Sequence, residues 1–439
     1  MRSLIITNYP PVLSLREKTF GAYRRLRTFV QSIADICHET EILHFVDPEF
    51  LQTVDHNSLA SAEEDNWGTS VKISIGLKNQ WRRWQIHIAP FIAPFSLKYE
   101  KYDDRFPCLV GKTQISTITT ELLSQPDFVF AHRLSAMLAL SQIGKTQDLP
   151  PVFFDLDDVE HRYAYRRALN APTLSRTMYR LSGVPKVIIA ERKAIRSADK
   201  TFVCSEVDRS HLASLRMGNI AVIPNAVVVP KSQSPVYPQR TVLFLGNYRY
   251  PPNAEAAERL ISRIWPLVLQ QDETSRLIVA GDCPELIQSY RLRPLNVEFT
   301  GLVSDLDALY ERSRIICCPI ITGGGTRLKL IEAAAYAKPM ITTPIGAEGL
   351  LFENDREILI RDSDAQIAAA CSRLLSHDSE CLELGSHAYR KAASIYSVDI
   401  VKQKIKSELL ATVKGYAHKD APVDRSAVCA RVQQERGSS

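Results

Sequence analysis

Residues 314–350 read RIICCPIITGGGTRLKLIEAAAYAKPMITTPIGAEGL, and this stretch decides the fold of the second half of the chain. An apolar run typical of a buried strand leads into the glycines Gly323 to Gly325 and then directly into a helical pattern. Glycines let a backbone approach an anion closely, and the first turn of a helix offers unpaired N–H groups and a partial positive charge. The stretch therefore predicts an anion site where a strand of a parallel sheet turns into a helix.

Charged residues in this helix extend the prediction to a nucleotide. Arg327 and Lys329 lie in the first turn, where cations are unfavourable for an isolated helix, so a bound anion would explain them. Glu332 follows within the next two turns, and a carboxylate can accept hydrogen bonds from both hydroxyls of a ribose. We expect a nucleotide diphosphate across this helix end. A glycine turn without a ligand, with Glu332 in solvent, fits the spacing equally well.

Other phosphate-binding patterns do not fit the chain. The stretch matches neither the GxGxxG pattern of dinucleotide-binding folds nor the GxxxxGK[ST] phosphate loop, which disfavours an oxidoreductase and a P-loop NTPase. On both sides of it, strand-like and helix-like segments alternate, except over residues 50–120, which are less regular and predict an insertion. We predict an α/β protein of two Rossmann-like domains. Its parts are residues 1–226, a proline-rich linker at 227–240, residues 241–396, a helix at 397–416 and a disordered tail at 417–439.

Composition bounds the class of protein. The chain has 439 residues, 45% of them hydrophobic, and no apolar run approaches the roughly 18 residues needed to span a bilayer. Nine cysteines without metal-ligand spacing favour a cytoplasmic location. Residues 1–235 carry 29 basic and 24 acidic residues, whereas residues 236–439 carry 25 of each. The basic excess, concentrated at residues 162–200, suggests that the first domain meets an anionic partner.

Polar residues follow two strands of the first half. DFVFAHRLSAM places His132 and Arg133 at the carboxyl end of a strand, where α/β sheets bind ligands, although a lone histidine is often structural. PVFFDLDDVE places a cluster of acids after another strand, and it has three explanations. The acids bind acceptor hydroxyls, or two of them hold a divalent cation, or one caps the following helix. The cluster comprises Asp155, Asp157, Asp158 and Glu160.

Five segments together carry a family resemblance. They are IPNAV (223–227), FLGNYRYPPNAEA (244–256), IVAG (278–281), FTGLVSDL (299–306) and the stretch from Gly323 to Leu350. In their order and spacing they resemble family-4-type (group 1) retaining glycosyltransferases of bacterial polysaccharide biosynthesis. The resemblance implies the GT-B fold, in which two Rossmann-like domains face each other across a cleft. It also implies that the helix at 397–416 crosses back to the first domain.

The resemblance implies roles for individual residues. Glu332 would hold the donor ribose, and the glycine turn with nearby cations would hold the diphosphate. In place of a glutamate that many members have eight residues before the ribose-binding one, this chain has Gly324. The usual pair of cations after the domain's first strand is also incomplete, so we expect Arg327 and Lys329 to supply charge. The predicted donor-binding residues are Gly246, Asn247, Arg249, Gly301, Gly323, Gly324, Gly325, Thr326 and Glu332.

The same resemblance implies the chemistry. In an internal-return mechanism the leaving diphosphate takes the proton of the acceptor hydroxyl, so the protein acts mainly through charge. Arg327, Lys329 and His132 are the predicted catalytic residues, with His132 facing the sugar. Arg133 joins the four acids as a predicted acceptor-binding residue. The implied partners are a nucleotide-sugar donor and a glycan or lipid-linked oligosaccharide acceptor, with no metal, other cofactor or nucleic acid. A nucleotide-sugar epimerase and a non-catalytic nucleotide-sugar-binding protein remain alternatives.

Two segments raise the possibility of membrane contact. Residues 81–95, WRRWQIHIAPFIAPF, interleave aromatic and basic residues, a pattern of segments that lie at a lipid interface. The basic residues between Arg162 and Lys200 would add attraction to anionic lipid. Packing of these aromatics into the first domain, with solvated cations, explains the pattern equally well. Peripheral contact at the inner face of the plasma membrane is therefore an expectation tied to a lipid-linked acceptor.

Overall fold

The computed structural model describes residues 1–9, 21–46, 56–75, 112–143, 149–171, 173–230 and 240–417. The expected interfacial segment at 81–95, residues 231–239 of the expected linker and the tail from 418 lie outside the described residues. Two parallel sheets form the frame of the molecule, one in each half of the chain. Among the described helices, none combines the length and apolar character needed to cross a bilayer.

The N-terminal sheet has seven strands in the order β3-β2-β1-β4-β5-β6-β7, and every pairing is parallel. Its central strands are buried throughout, as strands covered by helices on both faces must be. The strands are β1 Arg2–Thr7, β2 Glu39–Val46, β3 Ser70–Ile75, β4 Phe128–His132, β5 Val152–Asp155, β6 Lys200–Val203 and β7 Ile220–Val222. The helices are α1 Gly21–Ala34, α2 His56–Trp67, α3 Lys112–Leu122, α4 Arg133–Leu140, α5 Glu160–Leu169, α6 Leu174–Arg196 and α7 Glu206–Ser214.

The C-terminal sheet has six strands in the order β10-β9-β8-β11-β12-β13, again all parallel. Its strands are β8 Thr241–Leu245, β9 Arg276–Ala280, β10 Val297–Gly301, β11 Ile315–Cys318, β12 Met340–Thr342 and β13 Leu359–Ile360. Its helices are α8 Pro251–Arg259, α9 Trp265–Gln271, α10 Leu306–Glu311, α11 Leu328–Ala335, α12 Pro344–Ala347, α13 Asp364–Ser376 and α14 Asp378–Ile395. A π-helical turn, Leu260–Ile264, joins α8 to α9, and two 3₁₀ turns, Pro284–Leu286 and Gln288–Leu292, follow β9.

The predicted irregular region of the first half contains regular structure. Within residues 50–120, α2 and β3 extend the sheet by an edge strand, and α3 begins at Lys112. The pattern SVKISI of β3 is a short alternation with a lysine at its centre, which a search for apolar runs passes over. The predicted irregularity was wrong for the described part, whereas residues 76–111, where an insertion would fall, lie outside the described residues.

The last helix, α15 Val398–Ala417, joins the two halves. Its residues Val401, Ile405 and Leu409 are buried in the N-terminal core with α1. Lys402 and Lys406 both bond to Asp35, just past the end of α1. The helix thus leaves the C-terminal half and covers the N-terminal sheet.

The order of strands fixes the position of any site. In both sheets the direction of strand order reverses beside the first strand, β1 or β8. Open parallel sheets bind ligands at the carboxyl ends of strands next to such a reversal. The turns after β4, β5, β8 and β11 all lie at these ends, so the residues that follow them define the candidate site.

Candidate functional site

The glycine turn after β11 has a backbone that side chains would obstruct. Gly323 and Gly325 have φ angles of 112° and 64°, in the left-handed region. A Cβ atom on Gly325 would lie 2.5 Å from Oδ1 of Asp158, which belongs to the N-terminal half. The turn therefore lies against the other domain across the cleft, and glycine is required there for both conformation and space.

Arg327 shapes this turn from within. It occupies the N-cap position of α11, and its Nη1 donates to the carbonyls of Gly324 and Gly325. Its Nη2 is buried and has no hydrogen-bond partner among the described residues, while it lies 3.5 Å from the Cβ position of Gly323. Nη1 of Arg327 thus stabilises the conformation of the turn, while Nη2 lies beside the turn and can bind an anion.

Glu332 faces the N-terminal domain. Its carboxylate forms an ion pair with Arg24 of α1, so the helix that follows β1 contacts the helix that follows the glycine turn. Arg24 also lies near Tyr310 and Tyr336, whose rings stack with centroids 4.4 Å apart. Burial lowers the pKa of Arg24. The sequence offered no signal for Arg24, because the pairing depends on how the two domains face each other.

Lys329 contacts the turn that follows β8 through Asn253. Its Nζ donates to Oδ1 of Asn253 at 2.8 Å and lies 4.6 Å from the centre of the Phe244 ring. Burial lowers its pKa to about 8. These contacts place the Lys329 side chain against β8 and α8. The predicted contact between Lys329 and a diphosphate stays a prediction.

The turn after β8 belongs to the same site through Asn253. The Nδ2 atom of Asn253 donates to the carbonyl of Asn247 at 2.9 Å, so Lys329 and Asn253 together hold this turn. Asn247 and Arg249 approach Asp282, with Nδ2 at 3.5 Å and Nε at 3.7 Å from Oδ2 of Asp282. Gly246 packs against Asn253.

Three further predicted donor residues lie around these turns. Gly301 has a φ of 67° and open space at its Cβ position, at the end of β10. Gly324 lies beside Asp158 of the N-terminal half. The Oγ1 atom of Thr326 accepts a hydrogen bond of 2.8 Å from Nδ2 of Asn225, which follows β7. Thr326 thus joins the glycine turn to the N-terminal half.

On the N-terminal side, His132 and Asp155 form a buried pair. Nδ1 of His132 lies 3.1 Å from Oδ2 of Asp155, and both side chains are fully buried. Nε2 of His132 is buried and has no hydrogen-bond partner among the described residues. Because Nδ1 is directed at Asp155, Nε2 is the ring nitrogen left to bond a ligand. This arrangement suits a histidine that contacts a hydroxyl.

Arg25 also contacts Asp155, and this contact was not predicted from the sequence. It donates from Nη2 to Oδ1 of Asp155 at 2.6 Å and from Nη1 to the carbonyl of Ile223 at 2.7 Å. Burial alone would raise the pKa of Asp155, but Arg25 and His132 outweigh burial and lower it. Asp155 is therefore a structural anion inside the domain, and its predicted contact with an acceptor is corrected to the positioning of His132.

The other acids differ in their surroundings. Asp157 lies 3.3 Å from Nη2 of Arg133 at the edge of the cleft, and Asp158 approaches the glycine turn. None of the acids caps α5 through its side chain: the N-cap is Val159, and Glu191 of α6 accepts from the backbone N of Glu160 at 2.7 Å. The capping explanation was wrong, because a carboxylate from a neighbouring helix satisfies these amides.

Helix α5 connects the acids to the donor side. Nη1 of Arg166 donates to the carbonyl of Gly323 at 3.0 Å and lies 2.6 Å from Glu348, which Arg162 also contacts at 2.5 Å. The Tyr163 ring stacks on the Tyr250 ring across the gap, with centroids 6.3 Å apart. Within the described residues, no three or more His, Cys, Asp or Glu side chains are arranged to hold a metal ion. The two turns, α11 and α5 therefore enclose one cleft.

Residues 239–377 match the family model described as glycosyl transferases, group 1. The chain resembles the group 1 glycosyltransferases. The matched range contains the turn after β8, the glycine turn and Glu332. A curated protein of Klebsiella pneumoniae, described as an uncharacterized 44.6 kDa protein in the cps region, is 22% identical over 156 residues. That alignment covers 34% of this chain and 40% of the Klebsiella protein.

Solved structures agree with the fold of a group 1 glycosyltransferase. Sucrose-phosphate synthase from Thermosynechococcus elongatus superimposes with a TM-score of 0.67 at 14% identity, covering 94% of this chain and 99% of that one. HepE from Anabaena, in complex with UDP and glucose, has a TM-score of 0.59 at 14% identity, with 94% and 100% covered. TarM has a TM-score of 0.64 at 13% identity, with 94% and 98% covered. The chain has the GT-B fold.

Proposed function

We propose that this protein is a retaining glycosyltransferase that moves a sugar from a nucleotide-diphosphate sugar to a glycan or lipid-linked oligosaccharide in surface polysaccharide biosynthesis. The observation that carries the proposal is the position of Glu332 and the glycine turn, which face the N-terminal domain across the cleft. The match of this segment to the group 1 family supports glycosyl transfer.

The donor fits the C-terminal side of the cleft. Glu332 accepts from the ribose hydroxyls, while the amides of the glycine turn and Nη2 of Arg327 bind the diphosphate. The turn after β8, held by Lys329 through Asn253, borders the same space. HepE has been crystallised with UDP-glucose, which makes a uridine diphosphate sugar the first donor to try.

The chemistry needs charge more than a protein base. In internal return, the diphosphate oxygen that leaves the sugar takes the proton of the acceptor hydroxyl, so stabilising the leaving diphosphate lowers the barrier. Arg327 supplies a cation and the start of α11 supplies amides. His132 accepts a hydrogen bond from a sugar hydroxyl through Nε2 and thereby orients the ring. No step requires a metal ion.

The acceptor fits the N-terminal side. Asp157 and Arg133 lie at the edge of the cleft and offer hydrogen-bond partners for hydroxyls, whereas Asp155 acts only through His132. The relative from the cps region of Klebsiella supports a polysaccharide product. With a lipid-linked acceptor, the protein works in peripheral contact with an anionic membrane at the inner face of the plasma membrane.

A ligand and product experiment tests the proposal. A panel of nucleotide sugars is screened for thermal stabilisation, and the best donor is then incubated with candidate acceptors while NMR follows the anomeric configuration of the product. We expect stabilisation by one donor class and retention of configuration. Glu332→Gln should weaken donor binding by roughly 10- to 100-fold, since a hydrogen-bonding carboxylate charge is lost.

The matched control is Glu298→Gln. Glu298 is an exposed carboxylate of the same domain, paired with Arg312, and its substitution should leave donor binding unchanged. Inversion of configuration would contradict the retaining mechanism. Conversion of the donor without any acceptor would identify an epimerase, and donor binding without turnover on any acceptor would identify a non-catalytic binding protein.

A further inference from the structure

Helices α5 and α6 form a hairpin whose outer side is apolar and exposed. Leu174, Met178 and Ile189 of α6 are 78%, 62% and 68% exposed. Their spacings of 4 and 11 residues place them along one line of the helix, because residues 3.6 apart share a face. Tyr179 of α6 and Tyr165 and Leu169 of α5 add further exposed apolar area around the turn of the hairpin. Soluble surfaces rarely expose so many large apolar side chains in one motif.

Exposed cations lie beside this apolar side. Residues 162–200 contain ten basic residues and two acidic ones. Among them, Lys186 and Lys193 are exposed and lie seven residues apart, beside Ile189 on the same face of α6. Apolar residues flanked by exposed cations are characteristic of helices that lie in the headgroup region of an anionic bilayer.

A second exposed apolar patch shows why charge matters. Leu292 and Leu295 of the C-terminal domain are 78% and 70% exposed, as exposed as the leucine and methionine of α6. The surrounding residues 282–297 contain two basic and two acidic side chains, so this patch has no net charge. The two patches therefore share exposed apolar side chains, but only the segment of the hairpin has a net positive charge.

We propose that the outer side of the α5–α6 hairpin docks the protein on an anionic phospholipid surface. The same hairpin reaches the cleft: Arg166, three residues before Leu169 and hence about 4.5 Å along the helix axis, donates to the carbonyl of Gly323 in the glycine turn. A docked hairpin therefore holds the cleft next to the headgroups, where the sugar of a lipid-linked acceptor lies. This inference rests on the proposed function for its acceptor, but lipid binding needs no turnover.

Flotation of the full chain with vesicles tests the inference. Vesicles of phosphatidylcholine alone are compared with vesicles containing phosphatidylglycerol, and we expect binding only to the anionic ones. Lys186→Ala/Lys193→Ala should weaken binding by about 25-fold at low salt, since each cation near an anionic surface contributes about a fivefold factor. Leu174→Glu/Met178→Glu should weaken it by at least about tenfold.

Leu292→Glu/Leu295→Glu is the matched control and should float like the wild type. Thermal melting and UDP binding are measured for every variant, so that a folding defect or a failure of the proposed donor site is seen separately from loss of lipid binding. The inference is overturned if the hairpin variants float like the wild type, or if the control loses binding equally. It is also overturned if the wild type does not float. In that case, dissociation of a dimer by Leu174→Glu/Met178→Glu in sedimentation would identify a second copy as the partner.

Discussion

Arg24 of the N-terminal domain forms an ion pair with Glu332 of the C-terminal domain across the cleft. Under the proposed function, Glu332 is the group that the donor ribose requires, so the nucleotide and Arg24 compete for the same carboxylate. The Arg24 side chain is 29% exposed, which makes its pairing with Glu332 worth about 1 kcal/mol after solvent screening.

Removing this competitor should tighten nucleotide binding. We expect Arg24→Ala to bind UDP about fivefold more tightly than the wild type, because the ion pair no longer has to be broken. Titration calorimetry with UDP measures the change. Arg27→Ala, an exposed arginine on the same helix, is the control and should bind like the wild type. Weaker binding by Arg24→Ala would mean that Arg24 contacts the nucleotide itself.

Lys329 should make stability depend on pH in the alkaline range. Its pKa is about 8 in the folded protein against 10.5 ordinarily, so between these values the unfolded chain binds more protons and folding becomes more favourable as the pH rises. Below pH 8 the full cost of charging the buried ammonium, about 3 kcal/mol, is present. Lys329→Met removes this cost, so its stability relative to wild type should be highest below pH 8 and decline toward pH 10.5. Urea unfolding at a series of pH values measures it, and a parallel pair of curves would contradict the shifted pKa.

The fold was predictable from the sequence where the local pattern determines it. Buried parallel strands such as Ile315–Cys318 are continuous apolar runs, and the glycine turn that follows is visible as three letters. The edge strand Ser70–Ile75 was missed because its apolar residues alternate with polar ones and so form no continuous apolar run.

Side-chain partners across the domains were not predictable in the same way. Arg24, Arg25 and Arg166 pair with residues more than a hundred positions away, at Glu332, Asp155 and Glu348. The bond from Lys329 to Asn253 was not predictable either, because spacing places Lys329 on its helix but does not show which neighbouring helix it contacts. Asp155 was predicted to contact an acceptor because its burial depends on Arg25, which lies in another element.

Gly325 should tolerate no side chain. Alanine at a φ of 64° costs about 1–2 kcal/mol, and its Cβ would lie 2.5 Å from Oδ1 of Asp158 across the cleft. We expect Gly325→Ala to lose about that much stability. Because the turn can no longer close against the N-terminal domain, we also expect a loss of turnover that the loss of stability does not explain. Gly415→Ala is the control: Gly415 lies in α15 with open space at its Cβ position, so alanine should stabilise the helix slightly. Thermal melting and a donor-dependent assay separate the two effects, and full turnover by Gly325→Ala would contradict closure at this turn.

Substitutions of His132 and Asp155 should have different effects: the first should lower turnover and the second should lower stability. His132→Ala removes Nε2, which has no partner among the described residues, so it should lower turnover strongly. It should leave UDP binding unchanged, because UDP lacks the transferred sugar that His132 is proposed to contact. Asp155→Asn instead removes the nearer carboxylate partner of the buried Arg25 and leaves Asp157 at 3.8 Å, so it should destabilise the fold by about 3 kcal/mol. His132→Gln, which retains a hydrogen-bonding side chain of similar reach, should recover part of the turnover lost in His132→Ala. Melting temperatures, UDP titrations and rates for all three variants decide the assignment. A His132→Ala variant that turns over normally, or that fails to bind UDP, would show that this histidine serves the fold and not the sugar.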